Sequence, residues 1–416
     1  MEMFRLPEYV RRALFLLEEA GYEAYVVGGC VRDLYMGVEP HDYDITTSAM
    51  PEEVKDVFSG ERIVETGIRH GTVTLVVDDG TIEITTYRVD GEYSDKRRPD
   101  NVTFTRKLAD DLCRRDFTMN AMAYSPQRGL VDIFGGREHI DKGLIVCVGD
   151  ARERFREDAL RILRALRFAS RLNFKIEKSA TKAINEEKSL LRFVSAERIY
   201  AELTRIIMGS SAAQILLDYK DVILTVLPEL SALAPNDYIR AARAAGLADG
   251  DLYVRLALFM RDIGADVAAA ALRRLKADGA AITKTSLLIK HYNKGLFDNK
   301  QKIKLLLRQI SNDDARRLAS MLASDTAVGD ESRGTKEVSE YALRTIDEIE
   351  TSGECVRISD LAISGSDIIA AGVPEGKRVG EILTRLLDLV SSGAINNERS
   401  ALISAVQELI SSDISV

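Results

Sequence analysis

Apolar positions change their spacing repeatedly over the first 150 residues, then settle into one helical rhythm for the remainder of the chain. The run Ala13-Leu14-Phe15-Leu16-Leu17, set among Glu8, Glu18 and Glu19, predicts an amphipathic first helix. After Gly21, Tyr25-Val26-Val27 predicts a short strand that ends at Gly28-Gly29, with a helix from Val31 onward. Tyr43 to Thr47 predicts a second strand. Thr72 to Val77 and Thr81 to Val89 flank Asp78-Asp79-Gly80, and an Asp-Gly turn between β-branched runs predicts a hairpin. Leu130 to Phe134, before Gly135-Gly136, predicts a further strand and turn.

From residue 151 the spacing is three to four. Arg154 to Phe174, Ala180 to Glu187 and Ala196 to Met208 predict helices, with later turns near Pro228, Gly246, Gly279 and Gly329. The fold class expected is an α+β N-terminal head, a small mixed sheet with helices, followed by an elongated all-α C-terminal half. Its parts are a head over 1–150, a helical neck over 151–205, a body over 206–300 and a tail over 301–416.

Composition sharpens this reading by exclusion. Four cysteines (Cys30, Cys113, Cys147, Cys355) form no Cys-x-x-Cys pair and predict reduced thiols. Four histidines, no two within a helical turn, argue against a histidine metal site. No stretch reaches the ~18 apolar residues of a membrane span, and the acidic first helix is no signal peptide. A soluble, cytoplasmic protein is expected. The net charge of −8 argues at first against a nucleic-acid partner. Its distribution argues otherwise: residues 1–150 sum to −10, residues 161–180 to +5 and residues 281–320 to +6.

Candidate chemistry centres on Asp42-Tyr43-Asp44. In a strand, residues two apart share a face, so both carboxylates project together. Neighbouring carboxylates suit a cation between them, here two Mg²⁺ ions that bridge a nucleotide's phosphates. Gly28 and Gly29, between a strand and a helix, let backbone N–H groups approach phosphate, and Arg32 adds a forked cation. A strand, a Gly-Gly pair, a short helix and then Asp-x-Asp resembles the nucleotidyltransferase superfamily signature. That resemblance implies a third carboxylate on a nearby strand, and Glu83, between Ile82 and Ile84, fits it.

The resemblance narrows at Leu112-Cys113-Arg114-Arg115-Asp116-Phe117-Thr118-Met119-Asn120-Ala121, which is similar to a motif of class II tRNA nucleotidyltransferases and bacterial poly(A) polymerases. It implies that Arg114, Arg115, Asp116 and Asn120 bind the ribose and triphosphate. Glu157-Asp158-Ala159-Leu160-Arg161 resembles the family's base-templating motif. Three apart on a helix, Asp158 and Arg161 would share a face. A carboxylate accepts from an exocyclic amine while a guanidinium donates to the ring, so the pair would admit CTP and ATP and reject UTP and GTP. Arg164, Arg167 and Arg171 continue the basic stripe towards phosphates.

Further resemblances complete the expectation. Tyr93 to Pro99 is similar to the family's flexible loop, and Ile358 to Gly365 and Val379 to Leu383 to the tail of bacterial CCA-adding enzymes. Phe259-Met260-Arg261-Asp262-Ile263-Gly264 stands where many relatives carry a His-Asp phosphohydrolase core. Arginine cannot ligate a metal, so that activity is not expected. The resemblance implies addition of CCA to the tRNA 3′ end and acceptor arm. Asp42, Asp44 and Glu83 would be catalytic, and Asp42 and Asp44 would hold the two ions. Poly(A) polymerase or an A-adding enzyme is the alternative. No protein partner is implied, and the choice between monomer and dimer stays open.

Overall fold

The computed structural model describes residues 3–65, 67–68, 71–78, 80–91, 101–292 and 297–413. The Tyr93 to Pro99 loop and Asp79 of the hairpin turn lie outside them. Two compact units arise, one from residues 1–231 with 274–277, the other from 232–273 with 278–416.

The first unit is built on a seven-stranded sheet. Its strands are β1 (Ala24–Val27), β2 (Tyr43–Thr47), β3 (Arg62–Val64), β4 (Thr72–Val77) and β5 (Gly80–Thr86), followed later by β8 (Ala123–Ser125) and β9 (Gly129–Val131). A separate ribbon pairs β6 (Arg88–Asp90) with β7 (Val102–Phe104). The sheet order is β3-β4-β5-β2-β1-β8-β9, antiparallel except where β2 runs parallel to β5. Central β1 is buried at all four residues, as a strand covered on both faces must be. Helix α1 (Glu8–Glu19) lays Val10, Ala13, Leu14 and Leu17 onto the sheet, burial of each valine or leucine side chain stabilising by about 1.5–3 kcal/mol.

Helices α2 (Gly29–Tyr35), α3 (Pro51–Val57), α4 (Leu108–Cys113) and α5 (Gly136–Asp141) complete the α+β head. Beyond it, α6 (Ala151–Glu157), α7 (Leu160–Leu172), α8 (Lys178–Glu187) and α9 (Ala196–Ile207) are helical, with α9 packed along α7.

Three expectations change. The helix expected over Arg154 to Phe174 is broken, because Asp158 takes an extended backbone (φ −133°, ψ 104°) and its carboxylate accepts from Leu160 N–H at 3.0 Å. A short polar side chain competes in this way with the helical ladder. The second hairpin strand stops at Thr86, where Tyr87 turns its N–H to Thr47 and β6 pairs elsewhere. The strand predicted over Leu130 to Phe134 ends at Val131, because Asp132 accepts from the Gly136 and Arg137 N–H groups and starts α5.

The second unit is helical. Its Leu252–Met260 helix is buried from Val254 to Met260, which explains a segment with no polar face. Arg261, next in sequence, is wholly buried and meets Asp325 at 2.8 Å, while Asp262 accepts from Arg333 at 2.7 Å. The positions that resemble the His-Asp core thus carry a paired charge network. A second small core gathers Ile368, Leu386, Leu402 and Val406.

Candidate active site

Parallel pairing of β2 with β5 sets Asp44 directly opposite Glu83. Along β2, Tyr43 and Ile45 are buried while Asp42 and Asp44 are exposed, so the Asp42-x-Asp44 alternation puts both carboxylates on the open face. Asp42 itself immediately precedes the strand. Although Asp44 is exposed by area, the protein crowds it: desolvation first, then repulsion from Glu83, push its carboxyl up to about 6, against the pull of Arg115. Such a clustered, hard-oxygen surface fits a divalent cation. Among the described residues no group of three His, Cys, Asp or Glu side chains could hold a metal ion by itself. The donor set therefore fits Mg²⁺ in its usual form, one or two carboxylates completed by phosphates and water.

Gly28 ends β1 with φ +85°, a conformation favouring glycine, and a Cβ there would lie 3.0 Å from Arg115 Nη1. Gly29 opens α2, from which Arg32 donates to Asn120 Oδ1 at 2.8 Å and pairs with Asp33. Asn120 donates to Asp116 Oδ1 at 3.1 Å, and Asp116 Oδ2 accepts from Arg164 Nε at 2.7 Å. A hydrogen-bonded chain thus runs from α2 through the Arg114 to Asn120 segment to α7. Burial alone would raise the Asp116 carboxyl; Arg164, Asn120 and Arg161 overcome it and hold it at about 2.

Two elements of the site escaped sequence reasoning. Asp111, fully buried, accepts from Arg114 Nε at 2.9 Å and pairs with Arg115 at 3.3 Å, and so aims both arginines. Its i+3 and i+4 spacing to them was a usable signal. Phe168 carries the guanidinium groups of Arg32, Arg164 and Arg167 within 5.1, 5.5 and 4.4 Å of its ring centroid. Cation–π attraction lets one ring hold three like charges that would otherwise separate. Burial lowers Arg167 to about 10 despite Glu202 at 3.1 Å, which still leaves it charged at neutral pH.

Asp158 and Arg161 do not meet as a helical pair. Asp158 sits between α6 and α7 and accepts from Arg198 at 2.7 Å. Arg161 pairs with Glu157 and donates to the carbonyls of Arg154 (3.2 Å) and Arg114 (3.1 Å). Both nevertheless line one cavity of about 660 Å³, together with Gly28, Gly29, Arg32, Asp44, Arg114, Arg115, Asp116, Asn120, Arg164 and Arg167. Arg171, Arg198 and Arg205 extend its wall. Its lining holds nine arginines against three aspartates, an arginine-rich wall inside an acidic chain. Asp42 and Glu83 are not in its lining and belong to its margin through Asp44.

The chain is similar to known proteins over nearly its whole length. Residues 24–146 match the poly A polymerase head domain, and residues 254–406 match tRNA nucleotidyltransferase domain 2. Residues 173–233 match a model described as "Probable RNA and SrmB-binding site of polymerase A". The CCA-adding enzyme of Levilactobacillus brevis is 36% identical over 98% of this chain and 100% of its own length. That of Lactobacillus delbrueckii subsp. bulgaricus is 34% identical over 97% of this chain and 98% of its own. The chain belongs to the CCA-adding enzyme family. Among solved members, the Bacillus stearothermophilus CCA-adding enzyme in complex with CTP is 28% identical, covers 98% of both chains and superposes with a TM-score of 0.79. The Thermotoga maritima CCA-adding enzyme complexed with tRNA shares the fold at a TM-score of 0.69 and 20% identity. As CCA-adding enzymes are nucleotidyltransferases, the family's enzyme class is also this chain's. The curated relatives favour CCA addition over the poly(A) alternative.

Proposed function

We propose that this chain adds C, C and A to the 3′ end of tRNA from CTP and ATP, releasing pyrophosphate, without a nucleic-acid template. The observation that carries the reading is the single arginine-rich cavity in which the Gly28-Gly29 turn, the Arg114 to Asn120 segment and Asp158 with Arg161 converge. Arg114 and Arg115, aimed by Asp111, clamp the triphosphate, and Arg32, Arg164 and Arg167 take its remaining charge. Asp116 and Asn120, fixed by their mutual hydrogen bond, face the ribose. Asp158 accepts from the amine of cytosine or adenine, and Arg161 donates beside it; a carbonyl in place of the amine would leave Asp158 facing a second acceptor.

Asp42 and Asp44 would hold two Mg²⁺ ions, which supply charge neutralisation and a more acidic 3′ hydroxyl when bound. Glu83, opposite Asp44, would take the proton from that hydroxyl. In this reading residues 1–150 are the catalytic head, 151–205 the templating neck, 206–300 the body and 301–416 a tRNA-binding tail, and the protein works in the cytoplasm. Among the described residues no helix is long and apolar enough to cross a membrane. Asp42→Ala with Asp44→Ala tests the catalytic assignment: nucleotide incorporation should vanish while tRNA binding persists. Incorporation that survives both changes would refute it.

A further inference from the structure

The residue assigned to read the base amine has no helical backbone to aim it. Asp158 lies in the break between α6 and α7, yet its carboxylate is held from two sides. Oδ1 accepts from Leu160 N–H at 3.0 Å, and Oδ2 accepts from Arg198 Nη2 at 2.7 Å, with a longer Arg198 Nη1 contact to Oδ1 at 3.5 Å. Arg198 stands in the first turn of α9, the helix packed along α7. Both side chains line the cavity, at 25% exposure for Arg198 and 14% for Asp158.

We infer that Arg198 is a positioning residue for base selection, gripping Asp158 so that its open lone pairs face the incoming base. The inference rests on the base-reading role of Asp158 proposed above. A carboxylate offers about four acceptor sites, so Leu160 and Arg198 leave room for an amine. Leu160 alone fixes one oxygen and lets the carboxylate plane swing. Arg198 fixes the plane through the second oxygen, as a planar guanidinium does and a flexible ammonium does less well. Arg161 has separate supports in Glu157 and two backbone carbonyls. Loss of Arg198 therefore disturbs Asp158 alone. Once the acceptor turns away, amine-bearing bases lose their hydrogen bond and carbonyl-bearing bases lose their penalty. A plain phosphate contact by Arg198, in the same wall as Arg171 and Arg205, would act on every nucleotide alike.

The test uses the full-length protein and single-nucleotide addition, with CTP against UTP on tRNA lacking CCA and ATP against GTP on tRNA ending in CC. Arg198→Ala and Arg198→Gln should each lower both ratios of kcat/KM by at least about tenfold. The fall should come mainly from kcat for CTP and ATP, with KM for tRNA unchanged, and Arg198→Lys should restore part of it. Unchanged ratios in a variant that melts like the parent overturn the inference, as does an equal rise in KM for all four nucleotides. If Ala and Gln variants fail to fold, Arg198→Lys decides: a partial loss of selectivity supports the grip, and full selectivity contradicts it. Asp158→Ala, which leaves no side-chain acceptor, separates the two claims. Full discrimination in Asp158→Ala removes the base-reading role itself, whereas its loss there with selectivity kept in the Arg198 variants removes only the grip.

Discussion

Asp44 and Glu83 face each other across the one parallel strand pair of the seven-stranded sheet. Cross-strand like charges are destabilising, so the head keeps a repulsion that only a cation or a proton relieves. The folded state holds the Asp44 carboxyl near 6, against an ordinary value of 3.8. The folded state thus binds the proton more tightly than the unfolded chain, and stability falls as pH rises from about 4 to 6. Asp44→Asn should therefore melt higher than the parent in metal-free buffer above pH 6, with the gain vanishing near pH 4. Because the group is solvent-exposed, the gain should stay under about 1 kcal/mol, or about 1–2 °C. Added Mg²⁺ should raise the melting temperature of the parent and leave Asp44→Asn unmoved, while nucleotide transfer falls at least ~100-fold. A variant that melts lower at pH 7 would contradict this.

Asp116 has the opposite sign. Held at about 2 by Arg164, Asn120 and Arg161, it contributes stability that is present above pH 4 and lost as pH falls towards 2. Asp116→Asn should cost about 2 kcal/mol at pH 7 and flatten the acid limb of the stability curve. An acid limb identical to the parent's would remove Asp116 from that role.

Phe168 tests whether the arginine cluster is built by its ring. Phe168→Leu keeps an apolar side chain but removes the face shared by Arg32, Arg164 and Arg167. At about 0.5–1 kcal/mol per cation–π contact, KM for CTP and ATP should rise about tenfold. Choice between CTP and UTP should not change, since Phe168 is not a partner of Asp158. A change of selectivity without a change of KM would contradict the assignment.

Much of the fold could be read from short-range pattern. β1, β2, β4 and α8 lie within a residue or two of their predicted bounds, because alternation and helical spacing report burial on one face directly. The break at Asp158 was hidden because Phe155, Ala159, Leu160, Ile162 and Leu163 continue an apolar rhythm through it, with no Gly or Pro to mark a stop. Its signal was the Asp itself, a short polar side chain that competes with the helical ladder for a neighbouring N–H. Most residues that the family resemblance named line one cavity, Asp42 and Glu83 excepted, but the resemblance could not show which of them restrain one another. Arg198 reaches Asp158 across forty positions, and Phe168 gathers arginines from two separate helices. Such relations depend on how α2, α7 and α9 pack, which no local spacing encodes. Net charge misled for a related reason: acidic residues scattered over the head conceal nine arginines turned into one cavity.

CCA addition is decided by incubating the protein with Mg²⁺, all four nucleoside triphosphates and a tRNA lacking its 3′ end, then sequencing the products. The product should be a tRNA terminating in a single CCA, with neither U nor G incorporated. A long A tract, a lone A, or an unextended tRNA would contradict it.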